Sequence, residues 1–218
     1  MDEQQLHHEE RKSIREYGVR LLEEDLTTGT GGNLSVRIDD DRVAISPSEI
    51  PYESIAVWDV PVVTLDGSVV TGDCDPSDEL PMHLEIYRRR TDVNAIVHTH
   101  SPYATAFATL NEPIPASHYL VACAGPEIPV TPYELYGTPE LGAKAADTLG
   151  EEFNATLLKN HGVLTVDSSM SSAFEVAQMV EYCARIHHHA TDISDPSILS
   201  EDQIMAVREE MSDDDTNR

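Results

Sequence analysis

The sequence predicts a single α/β domain of 218 residues, with helices on both faces of a mixed, largely antiparallel central sheet. Segments of helical and of strand periodicity alternate along the chain, and several neighbouring strands are joined by tight turns rather than by helices. The sequence has no internal repeat and no linker long enough to divide it. Because hairpins pair strands antiparallel, this pattern favours a largely antiparallel sheet over a doubly wound parallel one.

The strands are predicted from apolar runs, or from apolar and polar alternation, between turn residues. Residues 33–38 alternate like a strand, and the acidic turn at 39–41 returns the chain into a second strand at 42–46. The stretch 57–71 gives one or two further strands around the Asp66-Gly67 turn. Four more apolar segments are predicted as strands, at 94–100, 128–131, 155–158 and 162–166.

The helices are predicted from apolar residues spaced three and four positions apart. Six segments are predicted as helices, at 3–25, 78–90, 102–110, 138–149, 170–191 and 201–211. Pro81 must then lie in the first turn of the second helix, where its missing N–H costs little. The acidic residues at the end of the chain predict a flexible tail from about 211.

The charge balance argues against two classes of partner. The chain carries 40 Asp and Glu against 14 Lys and Arg, a net charge of −26, and its only lysines are Lys12, Lys144 and Lys159. Such a surface repels nucleic acid and anionic membranes, so we expect neither as a partner. Acidic excess with few lysines predicts a halophilic protein that stays soluble in molar salt; an acidic mesophilic protein and disorder are the alternatives.

Other features of the composition predict a cytoplasmic enzyme. No apolar run approaches the roughly 18 residues that a membrane-spanning helix needs. The first residues are acidic and polar, unlike a secretory signal or a transit peptide. Cys74, Cys123 and Cys183 lie far apart without a CxxC spacing, which is typical of free thiols in a reducing compartment.

Three histidines are candidate metal ligands. His98 and His100 are two residues apart at the end of a predicted strand, so both side chains point to one face and can reach one ion. This pair alone is a weak signal, since many strand histidines only satisfy a hydrogen bond. His161 lies in an Asn-His-Gly turn between two apolar strands, a poor place for a purely structural histidine. Three neutral imidazoles would leave an open position on zinc, as catalytic sites do.

The other histidines are interpreted as structural or solvated. His187, His188 and His189 are consecutive on a predicted helix, so they splay around it and cannot all bind one ion. The pair at 7–8 lies on an exposed helix, and His83 packs or caps locally.

Five motifs occur in the order of a known family: GGNLSVR at 31–37, SPSEIPYE at 46–53, PSDE at 76–79, IVHTHS at 96–101 and LKNHGV at 158–163. Together they resemble the class II aldolase and adducin-head family, and within it the L-fuculose-1-phosphate aldolases. The resemblance runs from about residue 5 to 205 with nearly every motif in register. It implies a three-layer α/β/α fold, one zinc ion per subunit and a four-fold symmetric homotetramer with active sites at subunit interfaces.

The resemblance also implies roles for individual residues. His98, His100 and His161 map onto the zinc ligands, and Glu79 maps onto the catalytic base, which also serves as a fourth ligand when no substrate is bound. The chemistry requires a Lewis acid beside the carbonyl oxygen and a carboxylate that moves the proton on the adjacent carbon. Without the histidines, Glu79 would read as an ordinary acid in the first turn of a helix.

Two further residues are candidates for a catalytic role. Tyr119 resembles the tyrosine that crosses the subunit interface to protonate the aldehyde oxygen; a buried core tyrosine is the alternative. Lys159, beside the metal histidine, suggests a Schiff base, which needs a lysine desolvated in an apolar pocket. Because the family tolerates other polar residues there, we discount that mechanism.

The substrate phosphate is held in this family by an asparagine, a Ser/Thr-Gly pair and two serines. These map onto Asn33, onto Ser48 and Glu49, and onto Ser77 and Asp78. Two of the five positions have become acidic, and an intruding carboxylate would repel a phosphate dianion.

Three functions follow from the resemblance. The first is an aldolase that cleaves a ketose 1-phosphate (fuculose, ribulose or a deoxyketose) into dihydroxyacetone phosphate and a small aldehyde. The second keeps the fold and metal for another reaction, as a sugar-phosphate 4-epimerase, a dehydratase or an aldolase for an unphosphorylated keto sugar. The third is a non-catalytic adducin-like assembly module. The first is favoured because all three histidines are present and the helix acid is Glu79, where the epimerase typically carries Asp.

Overall fold

The computed structural model describes residues 7–216, with side chains as far as residue 211. Within this range, eight strands form one sheet. The strands are β1 (Asn33–Arg37), β2 (Arg42–Ile45), β3 (Val62–Thr64), β4 (Val69–Thr71), β5 (Ala95–Thr99), β6 (Val130–Thr131), β7 (Ala155–Leu158) and β8 (Gly162–Asp167). The helices are α1 (His8–Glu23), α2 (Leu80–Arg89), α3 (Pro102–Leu110), α4 (Pro139–Leu149), α5 (Met170–Thr191) and α6 (Glu201–Thr216).

The sheet is mixed and largely antiparallel, which confirms the predicted fold class. Its strand order is β4-β3-β2-β1-β5-β8-β7-β6, and every neighbouring pair is antiparallel except the parallel pair of β6 and β7. The hairpins predicted around 39–41 and 159–161 are the β1–β2 and β7–β8 pairs. β5 lies in the middle of the sheet between β1 and β8, and it carries the first candidate ligand, His98.

Helices cover both faces of the sheet and give it three layers. Ile96 of β5 packs among side chains of α2 and α4, whereas its neighbours Ala95 and Val97 pack against α1 and α5. On this second face, α3, α5 and α6 enclose a further cluster around Leu157 and Val163. Because strand side chains alternate, His98 points with Ile96 toward the α2 face.

Three predicted strands lose one or two end residues, and two further segments are much shorter in the structure than predicted. The stretch 57–71 contains β3 and β4, but it begins with a 3-10 helix at Val57–Asp59, where the Asp59 carboxylate accepts from the backbone N–H of Ala56 at 2.7 Å. The segment 128–131 contributes only the two residues of β6. Ile128 pairs instead with Ile114 in an isolated bridge, and Pro129 has no N–H for a ladder.

Several helix boundaries differ from the predictions, among them the starts of α1 and α2 and the end of α6. α1 starts at His8 because His7 has a left-handed backbone with φ of 60°; residues 3–6 of the predicted helix lie outside the described residues. α2 starts at Leu80 because the Leu80 N–H first closes a turn onto the carbonyl of Ser77. α6 continues to Thr216, past the predicted end at 211, and the flexibility of that segment stays a prediction.

Cys74, Cys123 and Cys183 are all free thiols, with Cys183 buried in the core. Between residues 7 and 216, every helix is too short or too polar to cross a bilayer.

Candidate active site

The three candidate histidines meet at one edge of the sheet. His98 is the fourth residue of β5, His100 follows the strand, and His161 lies in the turn between β7 and β8. Thr99, the last residue of β5, pairs with Val163 of β8, so the turn that contains His161 lies next to the end of β5. One ring nitrogen from each of His98, His100 and His161 lies within 4.8 Å of the others, as the sequence predicts.

Two of the three rings are in the form that binds metals, whereas the pKa of His98, which burial alone would lower, is raised by the Glu79 carboxylate. The Val163 carbonyl can only accept, so Nδ1 of His98 carries a proton and donates to it at 2.8 Å. The Nε2 atom of His98 therefore faces the cluster, 3.0 Å from Nε2 of His100. Burial, together with the nearby His98, lowers the pKa of His100 to about 3 and that of His161 to about 4. Both rings are neutral near pH 7, which is the form that ligates metals.

Glu79, the residue immediately before α2, adds a carboxylate to the cluster. Its Oε2 lies 3.1 Å from Nε2 of His98 and accepts a 2.8 Å hydrogen bond from Nδ2 of Asn33, and its Oε1 lies 3.4 Å from Nε2 of His161. Burial alone would raise the pKa of Glu79, but His98, His161 and Asn33 outweigh it and hold the pKa below its usual value. The carboxylate is therefore ionised, and it makes no cap hydrogen bond to α2. The reading of Glu79 as an ordinary helix acid is wrong.

These residues fit a divalent metal ion. Oε1 of Glu79 is buried without a hydrogen-bond partner, and two imidazole nitrogens, from His98 and His100, face each other at 3.0 Å. A cation between the rings would give each of these atoms a partner. Three imidazoles and one carboxylate form a donor set that zinc and neighbouring divalent metals accept.

Glycines allow the backbone to approach the cluster. A side chain at Gly162 would collide with the carbonyl of Thr99 and the ring of His100. Gly32 has φ of +71°, and a Cβ there would lie 2.6 Å from the carbonyl oxygen of His98. Both glycines belong to the motifs at 31–37 and 158–163 that resemble the family, and the structure gives the steric reason for them.

His83 was interpreted as a residue that packs or caps locally, and local capping is wrong. Its ring is fully buried, and it bonds across to β1, with Nε2 2.6 Å from Oδ1 of Asn33 and Nδ1 2.6 Å from Oγ of Ser35. The signal that could have revealed it is its position four residues after Glu79, which places both residues at the start of α2 facing the sheet.

The candidate phosphate residues lie on two loops that the structure brings together. Pro47 and Pro76 form an isolated bridge, which sets Ser48 beside the loop that carries Ser77. Ser77 is buried, and its Oγ accepts from the N–H of Glu79 at 3.3 Å.

The two acidic positions of this group, Glu49 and Asp78, are exposed. Glu49 has φ of 59°, in the left-handed region where glycine is favoured. This backbone accounts for the glycine that the resembled family carries at that position.

Tyr119 lies at the start of a 3-10 helix, Tyr119–Cys123, and its side chain is 51% exposed. The alternative of a buried core tyrosine is therefore wrong. In the part of the chain that the structure describes, its ring contacts His118 and does not reach the three candidate ligands.

The remaining histidines lie away from this cluster. His187 contacts Ser117, with Nδ1 3.0 Å from Oγ, and His7 is half-buried beside Arg42 rather than exposed. His188, His189 and Asp192 bring ligand atoms within 4.8 Å of one another, but all three side chains are exposed. His187 is not part of that group, which agrees with the prediction that the three consecutive histidines cannot share an ion.

Comparison with known proteins identifies the family of the chain. The family model described as "Class II Aldolase and Adducin N-terminal domain" matches residues 12–188. A 5-deoxy-D-ribulose 1-phosphate aldolase of Bacillus thuringiensis serovar kurstaki is 43% identical over 196 residues, which cover 89% of this chain and 92% of the relative. An L-fuculose phosphate aldolase of Escherichia coli (strain K12) is 38% identical over 186 residues, covering 84% and 85%.

A solved structure, that of an L-fuculose 1-phosphate aldolase, superposes on this chain with a TM-score of 0.90 at 41% sequence identity. The superposition covers 94% of this chain and 96% of the other. The chain therefore belongs to the class II aldolase and adducin family and is a lyase of the class II aldolase type.

Proposed function

We propose that this enzyme is a zinc-dependent aldolase that reversibly cleaves a ketose 1-phosphate of the L-fuculose or 5-deoxyribulose type. The products would be dihydroxyacetone phosphate and a small aldehyde. The observation that carries the proposal is the ionised Glu79 carboxylate, 3.1 Å from Nε2 of His98 within the histidine cluster. The substrates named for the relatives at 43% and 38% identity support the sugar-phosphate class.

The chain would divide the chemistry among its own residues. His98, His100 and His161 would hold one zinc ion per subunit, which supplies a Lewis acid for the substrate oxygens. Glu79 would take and return the proton on the carbon beside the carbonyl. Lys159 is only half-buried, which does not favour the desolvated lysine of a Schiff-base mechanism.

The phosphate group would be held beside this cluster. Asn33 uses one Nδ2 hydrogen on Glu79, which leaves the second for a phosphate oxygen. Ser48, Ser77 and the backbone N–H groups of Glu49 and Asp78 would supply the other contacts. The exposure of the two acidic side chains supports a pocket in which their carboxylates are turned aside.

We further infer that the chain works in the cytoplasm as a homotetramer with active sites between subunits. Tyr119 would reach a neighbouring subunit's site and protonate the aldehyde oxygen. Its exposed ring supports this role, as do three further exposed large side chains, Tyr133, Leu135 and Tyr136, which an assembly would cover.

The test is whether the zinc-loaded protein cleaves each member of a panel of ketose 1-phosphates and free ketoses. L-fuculose 1-phosphate, 5-deoxy-D-ribulose 1-phosphate and their free ketoses are supplied. The released aldehyde, which each ester shares with its free ketose, is measured with an aldehyde-reducing dehydrogenase, and dihydroxyacetone phosphate is measured separately for the esters. We expect cleavage of at least one phosphate ester and much slower cleavage of the free sugar. Epimerised or dehydrated sugar phosphate without dihydroxyacetone phosphate would replace the aldolase with another reaction.

A further inference from the structure

A buried chain of hydrogen bonds leads from the sheet to the Glu79 carboxylate. Oγ of Ser35 lies 2.9 Å from the Tyr87 hydroxyl and 2.6 Å from Nδ1 of His83. Nε2 of His83 lies 2.6 Å from Oδ1 of Asn33, whose Nδ2 donates to Oε2 of Glu79 at 2.8 Å. All five residues are buried, so water does not replace any of these partners cheaply.

The donor and acceptor roles in this chain follow from the ionised carboxylate. The Glu79 carboxylate can only accept hydrogen bonds, so Nδ2 of Asn33 faces it. Oδ1 of Asn33 must then accept a hydrogen bond from the Nε2–H of His83. Burial lowers the pKa of His83 to about 3, so the ring is neutral and its Nδ1 has no proton. Ser35 therefore donates to Nδ1 of His83, and the Tyr87 hydroxyl donates to Ser35. One consistent direction satisfies every group.

The orientation of the Asn33 amide depends on His83. An amide turned by 180° would direct Oδ1 at the Glu79 carboxylate and repel it, and it would remove the donor from the substrate side. Within residues 7–216, the hydrogen bonds of this amide are those to Glu79 and His83. His83 therefore keeps the Asn33 amide in the orientation in which Nδ2 donates to Glu79, because it donates to Oδ1 on the other side of the amide.

We propose that His83 is a positioning residue that, through Asn33, fixes the Glu79 carboxylate for proton transfer. This inference rests on the proposed function, because it assigns Glu79 the proton transfer. His83 acts as a neutral donor at Nε2 and does not touch the substrate. Its contribution is geometric, and a misplacement of about 1 Å at a reacting group costs on the order of 10²-fold in rate.

Two amide substitutions separate this role from simple packing. In His83→Gln, the longer side chain places an amide nitrogen near the position of imidazole Nε2, so the donor to Asn33 remains. In His83→Asn, the shorter side chain places its oxygen near Nδ1, so the acceptor for Ser35 remains and the donor is lost. Both variants bury a neutral amide in place of the ring.

Tyr87→Phe is the matched control for stability. It removes a hydroxyl from the same buried chain without touching Asn33, because Ser35 can still donate to His83. We expect a lower melting temperature in this variant, with turnover within about threefold of wild type, since the positions of the reacting groups are kept.

The measurements are bound zinc, melting temperature, kcat, KM and solvent deuterium exchange into dihydroxyacetone phosphate without aldehyde. The exchange reports the proton transfer at Glu79 separately from carbon–carbon cleavage. We expect all variants to keep zinc. Exchange and kcat should fall on the order of 10²-fold in His83→Asn, and His83→Gln should stay within about threefold of wild type.

Equal losses in the two amide variants, or an equal loss in Tyr87→Phe, would mean that His83 only packs, and would overturn the proposal. If His83→Asn does not fold, His83→Gln decides alone: near-normal exchange supports the proposal and a loss comparable to that of Glu79→Gln refutes it. Crystal structures keep the inference separate from the aldolase activity. The 2.8 Å contact of Asn33 with Glu79 should persist in His83→Gln and lengthen in His83→Asn, even if wild type cleaves no ketose phosphate.

Discussion

Asn33 and His98 are register partners on the neighbouring strands β1 and β5, and both side chains point toward the α2 face. This pairing places an amide donor and an imidazole beside the Glu79 carboxylate, 2.8 and 3.1 Å from the same oxygen. The sheet register therefore sets the position of the group that we assign to proton transfer. Four predictions concern the site built around this group, and a fifth concerns the net charge of the chain.

The first prediction concerns the metal. His161→Ala should lose bound zinc on dialysis, because two imidazoles retain a borderline-soft ion poorly. EDTA should likewise abolish activity in wild type. Zinc per subunit is measured by mass spectrometry, with His189→Ala, an exposed histidine of α5, as the control that keeps its metal. Full activity in metal-free protein would remove the class II mechanism.

The Glu79→Gln substitution tests whether Glu79 acts as the catalytic base or chiefly as a metal ligand. The amide keeps an oxygen for Asn33 but cannot take a proton, so turnover should fall by at least about 10²-fold while zinc content stays near normal. Glu85→Gln, which alters a carboxylate paired with Arg89 in α2, is the control. Zinc content that falls in step with activity would make Glu79 chiefly a ligand and place the base elsewhere.

Complementation tests the role of Tyr119 in a neighbouring subunit. Tyr119→Phe and His161→Ala should each be nearly inactive as homo-oligomers. If sites lie between subunits, mixing the two variants at equal ratio and reassembling them restores about a quarter of the sites, each with an intact tyrosine and an intact histidine from different chains. Activity that never rises above that of the separate variants would place the tyrosine outside the partner's site.

Asp78→Ser tests the altered phosphate pocket. Because Asp78 is exposed, we expect its carboxylate to lie away from the phosphate, and KM for a ketose 1-phosphate should change by less than about threefold. Ser77→Ala, at the buried neighbouring position, should raise KM. A KM that drops about tenfold in Asp78→Ser would mean that the carboxylate intrudes on the phosphate.

We also propose that the enzyme is halophilic, and salt titration tests this. A net charge of −26 per chain repels itself at low ionic strength, and the Debye length shortens to about 3 Å at 1 M salt. The melting temperature should therefore rise as NaCl is increased to about 1 M. Sucrose at matched osmolality is the control, since it does not screen charge. A melting temperature that does not change with NaCl concentration would contradict the proposal that the enzyme is halophilic.

Local sequence patterns were sufficient to predict the fold class and the three histidines that the structure brings together. Periodicity located β1, β5 and the hairpin of β7 and β8, and the i, i+2 spacing placed His98 and His100 on one side. These features depend on residues that are close in sequence, so alternation and turn residues specify them directly. Short segments were less predictable, as β6 shows, because a proline and an isolated bridge decide where pairing stops.

Only the tertiary structure decided how the cluster is supported. His83 and Asn33 are 50 positions apart, and their hydrogen bond exists because α2 packs over β1. Packing likewise exposes Tyr119 and Asp78 while it buries Ser77. Exposure and long-range hydrogen bonds depend on which surfaces pack together. A local sequence pattern carries no information about contacts between residues that are far apart in the chain. The sequence by itself thus determined which histidines are candidate ligands and which elements carry them, whereas packing determined which neighbours orient them.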